Sequence, residues 1–407
     1  MIFNIYIYYL FLSLTITISY FILGNETNGL LVTMIGMSPS MLLFFKRKIT
    51  EVDMWLFFLL LLMFAFAFTR VGFRPISYFY SVCFVSAYIC LRDSFLQNKF
   101  PMPRMLRILR NILYAYAIVL LIQQICVIIG ITPINQTFGF EENKWKLPSL
   151  AQEPSHMAIF VFFFMYSYIL ISEKILGHKY TFDEARKEKW VWISYFWCML
   201  TCQSTSAIMY CGLLFLRYFK PKTLFKYGIA LIFVIFPIYF FLKDTPAFQR
   251  VILFSEAFLT LDINKINGAD HSAAYRFFPM FYLFNNLDII SPNFWIGHGL
   301  DFGKETLNEY ALYVSNDVAY DGNINIGGFF GYILDYGMLC FLILCLAIRK
   351  AISGVGDLGL LVFYIWLNLF VGFNMQLFWS STTLLTYISI YNKKKIIYWC
   401  NNKNNKS

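Results

Sequence analysis

Charge is what this chain has least of. Only 14% of its 407 residues are Asp, Glu, Lys or Arg, against about 25% in an ordinary soluble domain. So few charges cannot build a water-facing surface, which excludes a soluble enzyme, a DNA-binding protein and a disulfide scaffold. Cysteines are missing from the polar connections. All nine, at 83, 90, 126, 198, 202, 211, 340, 345 and 400, lie in or beside hydrophobic runs, so no structural disulfide is implied. Cys198 and Cys202 share a helix face, but no His or carboxylate accompanies them at metal spacing, and they read as packing residues. A Walker lysine loop, a dinucleotide fingerprint and an internal repeat are also missing, so nothing points to a nucleotide site.

What is there is apolar. Hydrophobic residues make up 59% of the chain, with 46 Phe and 28 Tyr among them. A bilayer core needs roughly 20 apolar residues per helix. Twelve uncharged runs qualify, at about 3–23, 28–45, 54–69, 75–91, 111–131, 156–172, 190–203, 204–216, 227–242, 326–348, 355–372 and 375–392. The first lacks a basic start and a small-residue cleavage site, so it reads as a retained helix. The seventh and eighth are short, and fit either two short helices or one kinked excursion. The expected fold is all-α: one polytopic domain over 1–407, a bundle of about twelve transmembrane helices. With the N-terminus inside, 24 of the 33 basic residues fall on inner loops and both termini are cytoplasmic. The net charge of +10 then faces anionic lipid, and nucleic acid is not the partner. Residues 101–110, with Arg104, Arg107 and Arg110 among apolar neighbours, read as a short interfacial helix that anchors the topology.

The chemistry is expected on the other side. Two outer loops are long, 132–153 and 243–325, and the second far exceeds the usual connection of about 4–6 residues. Inside it, His271 to Leu287 reads as an amphipathic helix on the membrane surface, followed by Ser291-Pro292 and a tight turn at Gly297-His298-Gly299. Arg70, Arg74, Arg250 and Arg276 are retained where orientation selects against positive charge. Guanidinium forks bind phosphate oxygens bidentately at any pH, so these four suit the pyrophosphate of a lipid carrier; the plainer reading pairs them with outer acids. Before the sixth run, Gln152-Glu153-Pro154-Ser155-His156 reads as a helix start with Pro154 at its entry and Ser155 as its cap. Glu153 and His156, three residues apart, also place a carboxylate and an imidazole on one face, able to take a proton from a hydroxyl or orient a sugar. Asp335 is the acid well inside a hydrophobic run, which marks either a cavity or a structural hydrogen bond. Outer aromatics such as Trp145, Tyr275, Tyr282 and Trp295 fit an interfacial belt better than sugar stacking.

In order, these pieces resemble the O-antigen polymerase (Wzy) and O-antigen ligase group of bacterial surface-polysaccharide membrane proteins. The matching residues are Gln152-Glu153-Pro154-Ser155-His156-Met157-Ala158 opening a helix, Gln203-Ser204-Thr205-Ser206 between two short spans, and an Arg276 helix running to Gly297-His298-Gly299. Gly327 to Gly337, entering the tenth run, completes the set. The resemblance covers essentially the whole topology. It implies a metal-independent glycosyltransferase, needing no cofactor, on the periplasmic face of the bacterial inner membrane. Donor and acceptor would both be oligosaccharide units linked through pyrophosphate to undecaprenol, in contact with membrane lipid; a chain-length regulator is left open as a further partner. It implies catalytic roles for Glu153, His156 and Arg276, and substrate binding by Arg70, Arg74, Arg250, His298 and Asp335. Ligases of the group need a large-loop histidine, for which His271 and His298 are available, so a ligase transferring polysaccharide to lipid A core is the second reading. A polysaccharide-unit flippase or other transporter is the third, disfavoured by the absence of repeats and of a polar central path.

Overall fold

The computed structural model describes residues 2–17, 33–44, 49–68, 75–135, 144–202, 204–217, 271–299 and 328–404, with short stretches between 249 and 266. Side chains at 2–4, 43–44, 205–206, 208, 215–216, 271–276, 370 and 394–404 fall outside that description. Among the described residues every regular element is a helix. In chain order they are α1 (Ile2–Thr15), α2 (Pro39–Phe44), α3 (Glu51–Phe68), α4 (Pro75–Leu96), α5 (Met102–Ile129), α6 (Pro154–Leu176) and α7 (Phe182–Lys187). Then follow α8 (Lys189–Thr201), α9 (Thr205–Leu216), α10 (His271–Asn285), α11 (Pro292–Ile296), α12 (Gly328–Ile352), α13 (Leu358–Phe370) and α14 (Gln376–Asn404). Five of these, α3, α4, α5, α6 and α12, are long and apolar enough to cross a membrane. The chain is an all-α, multi-pass membrane protein.

The five long helices outrun the uncharged stretches that predict them, because a membrane helix does not stop at its first charge. α5 is a single helix of 28 residues, about 42 Å at 1.5 Å per residue, enough for a bilayer with its headgroup layers. This corrects the expectation of a separate interfacial helix over 101–110: Arg104, Arg107 and Arg110 sit on the first turns of the span itself. The seventh and eighth runs form two short helices, α8 and α9, with Cys202 and Ser204 between them. The ninth run, 227–242, lies outside the described residues.

The chain divides into two compact units, the first built from 1–14, 34–97 and 253–407 and the second from 15–33 and 98–252. Lipid is as apolar as a leucine core, so helices in a bilayer are fastened by close packing and by polar contacts. In the first unit α12 packs against α3, and also meets α10, α11, α13 and α14. Tyr88 shares a hydrogen bond with Thr386 at 2.9 Å, Tyr364 with Thr382 at 2.7 Å, and Ser81 donates to Asn374 Oδ1 at 2.7 Å. Arg92 on α4 reaches Asp53 on α3 at 3.3 Å, and Thr50 Oγ1 at 2.6 Å, in a pair that is almost wholly buried. In the second unit α5, α6, α8 and α9 pack together around Tyr116, Phe160 and Phe164, whose rings lie 5.7 to 6.4 Å apart. Its counterpart ion pair joins Arg217 to Glu173 at 2.7 Å, with the guanidinium also on the Tyr166 hydroxyl at 2.9 Å.

α12 is not one continuous helix. Gly337 leaves the helical region at φ 82°, ψ 166°, a conformation that in practice only glycine adopts. A break strands the carbonyls of the preceding turn, and in hydrocarbon such groups must find partners within the protein.

Candidate functional site

The partners come from the long loop. Ser291 caps α11, its Oγ accepting from Asn293 N at 3.3 Å, and Pro292 opens the helix. Gly297 ends it at φ 75°, ψ 179° and turns the chain along the break in α12. There His298 N donates to the Leu334 carbonyl at 2.9 Å and Gly299 N donates to the Asp335 carbonyl at 3.0 Å. The segment expected to be a tight turn is therefore an extended strap whose amides replace the helical bonds that the break removes. The two glycines make this approach possible. A Cβ on Gly297 would lie 2.3 Å from the Asp335 carbonyl oxygen, and one on Gly337 would lie 2.3 Å from that of Trp295. Backbone cannot yield as a flexible side chain does.

His298 and Asp335, 37 positions apart in sequence, thus share one backbone ladder, and both are half-buried. His298 Nδ1 also lies 3.2 Å from the Leu334 carbonyl. A carbonyl only accepts, so this bond requires a proton on Nδ1. Next to the break stand aromatic rings: Tyr332 against Tyr336 at 4.8 Å, Tyr332 against Phe373 at 5.0 Å, and Phe373 against Trp379 at 5.1 Å. Arg276 lies on α10, which packs on α12; its helical position is described and its side chain is not. Arg70, Arg74 and Arg250 lie outside the described residues, as does the side chain of His271.

Glu153 and His156 belong to the second unit. Glu153 is the N-cap residue of α6, extended at φ −137°, ψ 156°, and Pro154 follows at the first helical position. One expectation changes here. Ser155 is not the cap; it lies inside the first turn and its hydroxyl donates to Glu153 Oε2 at 3.1 Å. Glu153 is the cap and His156 the third helical residue, and Glu153 is exposed at the positive end of α6.

The connection that delivers Glu153 is tied down by residues that the sequence reading passed over. Gln123 on α5 donates to the carbonyls of Ile134 and Asn135, at 2.7 and 3.2 Å, and accepts from Ser149 N at 2.9 Å. Asn135 Nδ2 donates to the carbonyls of Ser149 and Ala151, at 2.7 and 2.8 Å. Ser149 Oγ closes the set on the Tyr116 carbonyl at 2.6 Å. Asn135 and Ser149 both hold left-handed backbone, φ 59° and 54°, a conformation of modest cost that often accompanies functional loops. A Gln inside an uncharged run was the available signal. Elsewhere in this unit, Trp145 is exposed. No protein-family model matches the chain, and neither the curated proteins nor the solved structures contain a significant match to it.

Proposed function

We propose that this protein is an O-antigen polymerase, a glycosyltransferase that joins lipid-pyrophosphate-linked oligosaccharide units at the periplasmic face of the bacterial inner membrane. The reading includes the twelve-span topology with both termini in the cytoplasm, as the distribution of 24 of 33 basic residues favours. The observation that carries it is the Gly297-His298-Gly299 strap seated on the broken α12. A substrate with a polyprenyl tail and a diphosphate-sugar head needs polar groups beside hydrocarbon. Broken membrane helices held by a loop are a recurrent way to supply them.

In this reading a hydroxyl on one repeat unit attacks the anomeric carbon of the lipid-linked chain. The new C–O glycosidic bond forms as the anomeric carbon–phosphate oxygen bond breaks, and its electron pair leaves with undecaprenyl pyrophosphate. Glu153 or His156 takes the acceptor proton. Arg276, with Arg70, Arg74 and Arg250, stabilises charge growing on the diphosphate, the kind of electrostatic contribution that usually dominates such reactions. His298 and Asp335 hold sugar or phosphate at the break. The bond broken is already activated, so no nucleotide is consumed. Ligation of the finished chain to lipid A core is the second reading, favoured specifically by a large-loop histidine, His298, fixed at the break.

Deleting the gene and examining the lipopolysaccharide separates the readings. Loss of a polymerase leaves core capped with a single repeat unit. Loss of a ligase leaves bare core with polymer stranded on carrier lipid, and loss of a flippase leaves neither. Arg276→Ala should abolish long chains at unchanged protein abundance; a wild-type ladder removes Arg276 from the site.

A further inference from the structure

A second site lies away from the strap, at the basic end of α12. The last turns of α12, the first turns of α3 and Lys393 of α14 line an open cavity of about 380 Å³, with Glu51, Trp55, Leu346, Arg349 and Lys350 among its walls, within the range of small-ligand pockets. Three cations face one carboxylate there. Lys350 is paired with Glu51, and Lys393 donates to Ser353 Oγ at 2.7 Å. Arg349 and Lys393 have no acidic partner among the described residues, which therefore leave the cavity with a positive surplus.

Above the cavity the same helix is apolar and uncovered. Leu339, Leu342 and Leu346 are 39%, 47% and 45% exposed, and their spacing of three and four puts them in one stripe that runs down to Arg349 and Lys350. Trp55, lining the cavity from α3, is the kind of aromatic that settles at headgroup depth. An apolar stripe ending in unneutralised cations matches one kind of occupant: acyl chains along the leucines and a phosphate among the cations.

We propose that this cavity binds the headgroup of an anionic glycerophospholipid of the bilayer, with the phosphodiester between Arg349 and Lys393 and an acyl chain on the Leu339–Leu342–Leu346 stripe. Basic pockets between membrane helices recognise lipid headgroups in this way, each cation near the surface adding roughly a fivefold gain in affinity. The inference rests on the membrane-spanning architecture and not on the reaction the protein carries out.

The test titrates the purified full-length protein in detergent with phosphatidylglycerol, followed by native mass spectrometry. The wild type should retain one phosphatidylglycerol in preference to phosphatidylcholine. Arg349→Gln with Lys393→Gln should weaken retention by about thirtyfold, while R349K/K393R keeps it. Lys174→Gln with Lys179→Gln, an equal loss of charge on exposed residues outside the cavity, should leave it unchanged. If the double Gln variant is poorly folded, Lys393→Gln alone should still show its fivefold share. Equal retention by the Gln variants, equal binding of phosphatidylcholine, or an equal loss in the Lys174/Lys179 control would each overturn the proposal. Displacement of the lipid by glycerol phosphate at matched concentration would overturn it too, since it would mark a soluble-phosphate site.

Discussion

α6 and α12 are both long apolar helices, and they treat their backbones in opposite ways. α6 is unbroken from Pro154 to Leu176, with its backbone ladder uninterrupted between the two ends. α12 gives up its ladder at Gly337 and accepts amides from a loop instead. A continuous helix offers a membrane only side chains, whereas a broken one offers backbone polarity at depth. In the first unit, then, the proposed substrate site follows from where the helix fails. In the second, the candidate residues sit at the helix entrance, and a network on α5 holds the entrance in position.

The largest effect should come from forcing α12 to resemble α6. Gly337→Ala or Gly297→Ala puts a methyl 2.3 Å from backbone oxygen, and the strained conformation adds about 1–3 kcal/mol to that clash. Either substitution should remove folded protein from the membrane or collapse its Tm. Gly212→Ala, on α9 with nothing near its missing Cβ, should be neutral or stabilising by about 0.5–1 kcal/mol. If Gly337→Ala melts like wild type, the strap and the break are not coupled.

Breaking the buried pair in the first unit should come next. Asp53→Asn leaves Arg92 without its charge partner, at a cost of about 3–5 kcal/mol, whereas Glu51→Gln breaks only a solvent-exposed pair with Lys350 and should be nearly neutral. Thermal unfolding of the two variants in one detergent measures that contrast; equal losses would show that burial is not what sets the value of the Asp53 pair.

In the second unit Gln123→Leu keeps the volume and removes three hydrogen bonds from the connection before α6. Unmatched buried groups cost about 1–3 kcal/mol each, so stability should fall by about 3 kcal/mol. Under the proposed function, long polysaccharide chains should shorten because Glu153 loses its fixed position. Normal chains at normal abundance would leave the network purely structural.

The smallest effect concerns the exposed turn at α7. Thr181 and Glu184 form a reciprocal cap there, and the Thr181 hydroxyl, with its backbone N–H second, holds the Glu184 carboxyl below the usual carboxylate range. A depressed folded value stabilises the folded state above the unfolded value and is lost as pH falls through the folded one. Thr181→Ala should therefore lower Tm slightly at neutral pH, with the difference shrinking as the solution is acidified into that range. A gap that stays constant with pH would show that the carboxylate takes no part.

Hydropathy made the helical, membrane-spanning class legible; of the two readings that the seventh and eighth runs left open, two short helices is the one found. Charges misled at the helix ends. Stopping each run at its first ionised residue cut Asp53 and Arg92 away from α3 and α4, and so hid their pairing. It also detached Arg104, Arg107 and Arg110 from α5. Asp335 stood out as an acid among apolar residues, whereas Gly337 entered only as the end of the Gly327 to Gly337 motif and nothing marked a break there, because an isolated glycine is tolerated inside membrane helices and its φ is set by the strap, some 40 residues earlier in the chain. Pairings between distant backbone segments leave no local periodicity to read. The Gln123 network was hidden for the same reason, its partners lying 11 to 26 positions away.

If charged side chains at the outer leaflet let this protein extend a lipid-diphosphate-linked glycan by repeated transfer, as proposed, purified protein in liposomes will do so when given a lipid-pyrophosphate-linked repeat unit in the presence of EDTA. The wild type should build a ladder of lengthening lipid-linked products, and Arg276→Ala should build none. No elongation by the wild type, or elongation that appears only when a divalent cation is restored, would refute the proposal.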